Sequence, residues 1–360
     1  MKKIQYNLLN FRVLVLIFFF LSGCKEKKYS KDVFFDKTIV LEENLESIQV
    51  SPDLLLEKDM LITSDHLITL GANQGAYFKV FDLQSLDLVG EFGNEGEGPE
   101  DFTMPFSSGM TVSGEQLVLG DLLSMRSADL NSDFWSEENQ FSRTAYPSEL
   151  IPLNFPFLLN PNTICGQVEM SSKHITCFDI KLSKLTEFID YPDFISFNDE
   201  KPYERERMFQ NQSRVSPDGS YIILTYSYIP LVRIFDVKSG GLKEVFIKNN
   251  RDFYSNNSGS NNQSALDNQL FYHNVKVSNK FIYAFYQEEI IEDDPQSEGG
   301  LTSRSLSDKE LHVIDFAGNA IKKIKLPDWA KVFSPSLDDK FLYFLHPEIE
   351  DQIFKFPLEE

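Results

Sequence analysis

The sequence predicts an all-β fold, a six-bladed β-propeller made of four-stranded antiparallel blades. Segments in which apolar and polar residues alternate, typical of half-buried strands, recur along the chain, whereas patterns with the helical period are nearly absent. The chain also contains 32 Phe and 14 Tyr, residue types that are enriched in strands. A strand motif that ends in Asp recurs, and repetition of one supersecondary unit indicates a repeat architecture.

The strand motif is clearest at Phe78–Asp82, where the alternating strand ends on the Asp. The further copies, of which one is weaker and the last lacks the Asp, are Ile175–Asp179, Val232–Asp236, Leu311–Asp315, Arg126–Asp129 and Gln352–Phe356. An Asp side chain readily accepts hydrogen bonds from the backbone of a following turn. We therefore expect these Asp residues to stabilise turns and not to form a catalytic set.

A hairpin with a tight polar turn precedes each copy of the motif. In Arg214–Ile223 the turn is Ser-Pro-Asp-Gly, in which Pro presets φ, Asp bonds the local backbone and Gly takes the left-handed conformation. Hairpin, motif strand and one more strand form a blade, and six blades fit residues 33–360. The last unit lacks its fourth strand. We expect the β-prone segment Asp36–Leu41 to supply it and so to remove an open sheet edge.

Residues 1–23 are predicted to be a lipoprotein signal peptide. Lys2, Lys3 and Arg12 form a positive segment, and the apolar run Val13–Leu21 is shorter than the roughly 20 residues that span a bilayer. The sequence Leu-Ser-Gly-Cys that ends at Cys24 resembles a bacterial lipobox, which makes Cys24 the predicted lipid attachment site and residues 24–32 a tether. The alternative is an ordinary signal peptide followed by a chance Cys.

Charge and motif content limit the chemistry that the chain can perform. The formal net charge is −21, and removal of the three cations in the signal segment takes it to −24. Such an acidic chain is a poor candidate for binding nucleic acid or an anionic membrane surface. The five His show no metal-ligand spacing, and neither H-E-x-x-H nor G-x-S-x-G occurs. We therefore expect no metal, no cofactor and no acyl-transfer triad.

The loop Gly93–Phe102 contains three glycines and Pro99. Its order G-x-x-G-x-G lacks the Lys-Ser/Thr of a phosphate-binding loop, and its acidic residues would repel phosphate, so we predict a crossover between blades. With the strand that follows it, the loop resembles an NHL-type propeller repeat. The whole chain, with its lipobox, resembles the TolB-like/NHL-like six-bladed propeller lipoproteins common in Bacteroidetes. This resemblance implies the fold but brings no catalytic motif with it.

Two cysteines, Cys165 and Cys177, fall on adjacent strands of the third predicted blade and would face each other in a symmetric hairpin. An exported protein can form disulfides. A bond between neighbouring strands fits awkwardly with disulfide geometry, however, and we favour two buried thiols over a disulfide.

Long insertions mark one face of the predicted propeller. By strand parity, the connections at residues 93–105, 190–212, 248–268 and 288–309 all lie on the same face, and elaborated loops of this kind usually carry function. Aromatic and cationic residues within them are binding candidates: Tyr203, Arg205, Arg207, Arg251 and Tyr254. The alternative is that they belong to solvated charged loops. Residues 290–309 and 255–269 are acidic or rich in Asn and Ser, and we expect them to be mobile.

These observations predict a monomeric, lipid-anchored recognition or scaffold propeller of the cell envelope, without catalytic activity. Its partner would be a peptide, a glycan or another envelope protein, and its lipid would be its contact with the membrane. The alternative is a carbohydrate-active enzyme of the envelope, a lyase or hydrolase that uses carboxylates at the channel mouth. Glycosidase carboxylates lie about 5–9.5 Å apart, a separation that sequence spacing across blades does not reveal.

Overall fold

The structure is a computed structural model that describes residues 29–41, 45–51, 54, 57–71, 75–96, 98, 101–122, 124–130, 133–136, 141–146, 153–168, 171–194, 202–247, 269–293 and 301–358. The predicted signal peptide and Cys24 lie outside these residues. Within the described part of the chain, no helix is both long and apolar enough to cross a membrane.

Six antiparallel sheets form the blades, and the N-terminal region contributes three further strands. Those three are β1 (Tyr29–Val33), β2 (Thr38–Val40) and β3 (Glu46–Gln49). Blade one comprises β4 (Asp59–Ile62), β5 (His66–Leu70), β6 (Ala76–Asp82) and β7 (Leu88–Asn94). Blade two comprises β8 (Thr111–Ser113), β9 (Gln116–Gly120), β10 (Ser124–Asp129) and β11 (Ser142–Ala145). Blade three comprises β12 (Leu153–Asn160), β13 (Thr163–Val168), β14 (Ile175–Asp179) and β15 (Lys184–Ile189).

The second half of the ring repeats this order. Blade four comprises β16 (Asn211–Val215), β17 (Tyr221–Tyr226), β18 (Leu231–Asp236) and β19 (Leu242–Ile247). Blade five comprises β20 (Gln269–Val277), β21 (Phe281–Asp293), β23 (Glu310–Asp315) and β24 (Ala320–Lys325), with β22 (Leu301–Ser305) paired to the far end of β21. Blade six comprises β25 (Val332–Pro335), β26 (Phe341–Leu345) and β27 (Gln352–Pro357), and β3 is its fourth strand. The predicted all-β, six-bladed propeller with four-stranded blades is confirmed.

The first strand of each blade is the innermost, and these six strands surround the central channel. Because the strands are antiparallel, the connections alternate between two faces. The turn face carries the connections between first and second strands and between third and fourth strands, such as residues 63–65 and 83–87. The crossover face carries the remaining connections, including the short helix Pro202–Met208 before β16. Apolar side chains fill the space between neighbouring blades, as in the cluster of Ile68, Phe78, Phe102 and Leu119 between blades one and two.

The third strand of five blades ends on the predicted Asp, and the role expected for it holds at four of them. Asp82 accepts hydrogen bonds from the amides of Gln84 and Ser85, and Asp236 from those of Lys238 and Ser239. The equivalent bonds run from Leu182 to Asp179 and from Asn319 to Asp315. The repeated Asp therefore fixes the turn into the fourth strand.

Closure of the ring by the N-terminal region is confirmed, but the segment assigned to it was wrong. β3 pairs antiparallel with β27 and completes blade six. Residues Thr38–Val40, within the segment 36–41 proposed for this role, instead add a parallel fifth strand to blade five beside β24. β1, which begins inside the proposed tether, adds a parallel fifth strand to blade four beside β19. The N-terminal region thus follows the outer rim of blades four, five and six before the first complete blade begins.

The structure also corrects two expectations about local segments. Cys165 and Cys177 are paired in register on β13 and β14 and form a disulfide, so the preference for two free thiols was wrong. In the stretch 290–309, expected to be mobile, the described residues continue β21 to Asp293 and form β22, a two-stranded extension of blade five on the crossover face. The other stretch expected to be mobile, residues 255–269, lies outside the described residues except for its last position.

The glycine loop is a crossover between blades one and two, as predicted. Gly93 has φ +81°, a conformation that glycine adopts without strain, whereas Gly96 and Gly98 are needed for space. A Cβ on Gly96 or Gly98 would lie 2.3 or 2.6 Å from the carboxylate of Asp101, whose Oδ2 accepts a hydrogen bond from the Gly98 amide. The acidic side chain of this loop therefore holds the loop itself.

Candidate functional site

The third strands carry buried cations that could be mistaken for catalytic groups. Four blades have a basic residue three positions before the terminal Asp, and each of these residues is buried. They are Lys79 in blade one, Arg126 in blade two, Arg233 in blade four and His312 in blade five. Three of them contact the chain segment that arrives from the preceding blade. Lys79 Nζ lies 2.6 Å from Glu57, Arg126 donates to the carbonyl of Asp101, and Arg233 donates to the carbonyl of Asp190 at 2.7 Å. These cations anchor crossovers, which is a structural role.

The buried histidine His174 belongs to the same structural system. Its Nε2 donates to the carbonyl of Phe209 at 3.1 Å, and its Nδ1 accepts from the hydroxyl of Tyr226 at 3.1 Å. Burial, and secondarily the charge of Arg233, lowers the pKa of His174 to about 3. The imidazole therefore stays neutral, fixed between blades three and four, and has no open side for a substrate.

A charged cluster occupies the central channel. Asp59 on β4 lies between Arg214 on β16 and Lys276 on β20; its Oδ2 is 3.1 Å from Arg214 Nη2, and its Oδ1 contacts Lys276 Nζ. Arg214 also donates to the carbonyl of Ser213 and Lys276 to that of Met60. The cavity beside the cluster, at the turn face, has a volume of about 30 Å³. This space is about that of one water molecule, so the channel is closed to substrates here.

The six inner strands, as far as they are described, do not supply the carboxylate pair that a glycosidase requires. Of the six inner strands that the structure describes, Asp59 on β4 is the single Asp or Glu. Both of its carboxylate oxygens are engaged by cations, Oδ2 by Arg214 and Oδ1 by Lys276. A carboxylate pair for the alternative enzymatic function would have to come from the connections between strands.

The sequence-selected binding residues have different roles on the crossover face. Arg205, on the short helix, donates to the carbonyl of Ser171 at 3.0 Å, and its guanidinium stacks 4.3 Å from the ring centre of Tyr191. Arg205 therefore fastens the helix to blade three. Arg207 is exposed, with its guanidinium 6.0 Å from the ring centre of Tyr228. Tyr203 lies on the same helix.

The remaining two candidates, Arg251 and Tyr254, lie outside the described residues.

The crossover face also exposes large apolar side chains that the sequence analysis missed. Met104 and Leu122 are 56% and 51% exposed, and their amides donate to the same oxygen of Asp121, which keeps the two residues adjacent. Leu301, on the strand extension of blade five, is also exposed. Exposed apolar residues of this kind are common at protein interaction sites.

A roomy cavity lies on the opposite face. A cleft of about 640 Å³ opens on the turn face between blades six and one, lined by the turns Thr63–Asp65, Asp82–Gln84 and Ser336–Asp338 together with Phe341, Tyr343 and Lys355. This volume is within the range of small-molecule binding pockets, about 300–1,000 Å³. The sequence analysis placed function on the face that carries the long insertions, and so it missed this cleft, which short turns border.

A difference in turn length opens this cleft. In blade five, Tyr283 on the second strand donates to Oδ1 of Asp339, in the first turn of blade six, at 2.8 Å. Tyr343 is at the equivalent register in blade six, where it pairs with Lys355 as Tyr283 pairs with Val313. Blade five is followed by blade six, whose first turn has five residues between its strands. Blade six is followed around the ring by blade one, whose first turn has only three. Tyr343 makes no hydrogen bond to the carboxylate of this shorter turn, Asp65, and space remains above Tyr343.

Among the described residues, no group of three or more His, Cys, Asp or Glu side chains is arranged to hold a metal ion.

The comparisons with known proteins concern the fold. A family model described as TolB-like 6-blade propeller-like matches residues 36–334, which confirms the TolB-like, six-bladed part of the resemblance seen in the sequence. No curated protein sequence matches the chain.

Solved structures from two Bacteroides species share the fold. A member of the DUF4221 family from Bacteroides vulgatus is 12% identical, with a TM-score of 0.55 over 88% of this chain and 96% of that one. A putative exported protein from Bacteroides fragilis is also 12% identical, with a TM-score of 0.54 over 93% of this chain and 100% of that one. At this identity the similarity is one of fold alone.

Proposed function

Because the chain belongs to the TolB-like six-bladed propeller family, we propose that it is a lipid-anchored recognition propeller of the cell envelope. In this proposal the crossover face binds a peptide, a glycan or a partner protein, and the chain performs no catalysis. A binding or scaffold role is common for propellers, whose rigid ring supports variable connections.

The observation that carries the proposal is the direction in which the chain enters the ring. β1 runs parallel to β19, which leads from the turn face to the crossover face, so Tyr29 lies at the turn-face end of blade four. Cys24 is five residues earlier, and five residues span at most about 18 Å. A lipid on Cys24 would hold the turn-face rim of blade four near the bilayer. The crossover face, with its helix and its strand extension, would point away from the membrane.

Two further observations support export. The disulfide between Cys165 and Cys177 requires an oxidising compartment to form and persist, as in the periplasm or at the cell surface. A structural neighbour from Bacteroides fragilis is described as a putative exported protein. Arg207 and Tyr203, on the short helix of the crossover face, remain proposed binding residues, as do Arg251 and Tyr254, whereas Arg205 would contribute by holding the helix.

The lipid anchor is tested by Cys24→Ala. We expect the variant to appear as a soluble protein or as an uncleaved precursor, because lipid is the proposed membrane attachment. Fractionation followed by intact mass determination separates these forms from the wild type. A mature Cys24→Ala protein that stays with the membrane would contradict the anchor.

The binding face is tested by site-specific photocrosslinking in cells. A benzoylphenylalanine is placed at Arg207 on the crossover face or, as the matched control, at Lys238 in the exposed turn before β19 on the turn face. Both positions are exposed cations near blade four. We expect a defined adduct from position 207 and none from position 238. Equal adducts from both positions, or none from position 207, would argue against recognition by the crossover face.

A further inference from the structure

The cleft between blades six and one contains hydrogen-bond donors that the protein leaves unused. Tyr343 is 2% exposed, yet its hydroxyl lines the cleft and has no hydrogen-bond partner among the described residues. Burial, followed by the charges of Asp338 and Glu46, raises the pKa of Tyr343 to about 12, so its hydroxyl is protonated and can donate. The hydroxyl oxygen itself is accessible from the cleft and is therefore available to a ligand.

Lys355 is the second unused donor. Its ammonium lies 4.1 Å from the ring centre of Phe341 and 5.7 Å from that of Tyr343, and it forms no ion pair with any described carboxylate. In blades one, two and four the cation of the third strand is three positions before the terminal Asp, where it contacts the incoming crossover. In blade six that position is Phe354, and the cation is shifted by one residue. Because side chains alternate along a strand, this shift turns Lys355 away from the crossover and into the cleft.

Hydrogen-bond acceptors also line the cleft. The carboxylates of Asp65, Asp82 and Asp338 belong to turns that border it, and Gln84 and Asn279 are among its other lining residues. Hydrogen bonds from the backbone lower the pKa of Asp82, and a hydrogen bond from Lys340 lowers the pKa of Asp338. Both carboxylates therefore accept hydrogen bonds and do not donate them.

A ligand for this cleft therefore meets both hydrogen-bond donors and hydrogen-bond acceptors. A cationic ligand would meet the ammonium of Lys355, and an anionic ligand would meet three carboxylates. A hydroxyl group both donates and accepts and carries no charge, and the half-buried ring of Phe341 borders the cleft as an apolar surface for the C–H side of a sugar. From this geometry we propose that the cleft binds a neutral saccharide. This site is separate from the crossover face and does not depend on the lipid anchor.

The test uses the full-length chain purified in detergent and a printed array of three classes of probe. These classes are neutral oligosaccharides, carboxylated or sulfated oligosaccharides, and Lys/Arg-rich peptides. We expect binding to at least one neutral oligosaccharide, whose dissociation constant is then measured by titration. Binding confined to the peptides or to the charged saccharides, or to no probe at all, would overturn the proposal.

Two substitutions connect the binding to the cleft. Tyr343→Phe removes a hydroxyl that has no protein partner, so the fold should be unaffected while affinity falls by about three- to tenfold, the usual effect of one neutral hydrogen bond. Lys355→Met should weaken binding similarly. The matched control is Tyr221→Phe, on the turn face of blade four, which should bind as the wild type does. Unchanged affinity in both cleft variants would refute the assignment. A negative result here has no bearing on the crossover-face crosslinks, so the two proposals can fail separately.

Discussion

Replacement of Asp59 by Asn should destabilise the whole ring, because Asp59 is the anion of the channel cluster. Its side chain is 0% exposed, and those of its partners Arg214 and Lys276 are 8% and 6% exposed. The three residues belong to blades one, four and five, so the cluster connects inner strands across the channel. Asn keeps the shape of the side chain but leaves two buried cations without a counter-charge.

The cost follows from the known behaviour of buried ion pairs. Removal of one partner from such a pair costs about 3–5 kcal/mol, a large share of the 5–15 kcal/mol that stabilises a typical domain. With an unfolding entropy of about 2.1 cal/mol/K per residue, about 320 residues give roughly 0.7 kcal/mol/K, so the melting temperature should fall by about 4–7 °C. Burial already lowers the pKa of Lys276 to about 8. In the variant Lys276 can therefore lose its proton, and this limits the cost to the range given.

The assay is urea unfolding followed by circular dichroism at pH 7, with the disulfide intact. The matched control is Asp87→Asn, the same chemical change at an exposed position of blade one, which should cost less than about 0.5 kcal/mol. Lys276→Met should be tolerated, and it should reduce the cost of Asp59→Asn in the double variant, since one buried cation fewer is left unpaired. If Asp59→Asn and Asp87→Asn unfold at the same urea concentration, the channel cluster does not stabilise the ring.

Three further predictions concern closure, pH and the disulfide. A chain without residues 25–41 should keep blade six closed and melt as a single ring, whereas a chain without residues 25–49 should lose its cooperative melting transition; equal melting curves would contradict closure by β3. Because the pKa of Lys276 is about 8 in the folded state and about 10.4 in an unfolded chain, the native state binds fewer protons between these values, and the free energy of unfolding should rise with pH there relative to Lys276→Met. If the free energy of unfolding of the wild type relative to Lys276→Met fell as the pH rose, the burial of this amine would be contradicted. Cys165→Ser with Cys177→Ser should lower stability by about 2–4 kcal/mol in chemical unfolding, and thiol alkylation of the unreduced wild-type chain should leave both cysteines unmodified.

The propeller was predictable because its repeat is encoded locally. Each third strand ends where its Asp accepts hydrogen bonds from the next turn, so the residue that reveals the repeat also fixes the geometry of the turn. The Ser-Pro-Asp-Gly hairpin is similar: Gly219 has φ +72°, and Asp218 accepts from the amide of Ser220. Interactions within four residues of each other leave a readable pattern in the sequence.

The closing strand was misassigned because its exposure removes the usual signal. β3 has the sequence Glu-Ser-Ile-Gln, and three of its four residues are exposed, as expected for the outermost strand of a blade. The more apolar Thr-Ile-Val of β2 looked better suited, but it pairs parallel with β24 and adds an extra strand to a blade that is already complete. Hydrophobic alternation identifies buried strands, and an outermost strand is held mainly by backbone hydrogen bonds.

The cleft could not be predicted, because it depends on residues that are far apart in the chain. Its walls come from the first turns of blades one and six and from two strands of blade six, and it is open because one of these turns is two residues shorter than the other. The short turn and the displaced Lys355 are visible in the sequence only after the six blades have been aligned in register, which the sequence alone does not provide.

The positions where the repeat is broken are the places to look for function in this ring. Lys79, Arg126 and Arg233 occupy one repeated position and bind crossover segments, so their burial and charge are explained by architecture. Blade six keeps an aromatic residue there, Phe354, which packs 4.9 Å from the ring centre of Trp329 in its own crossover. The crossover of blade six is thus held without a cation, and the cation one position later is free of that structural role. A charge that the architecture does not need, beside a tyrosine hydroxyl that the architecture does not bond, is what a ligand site requires.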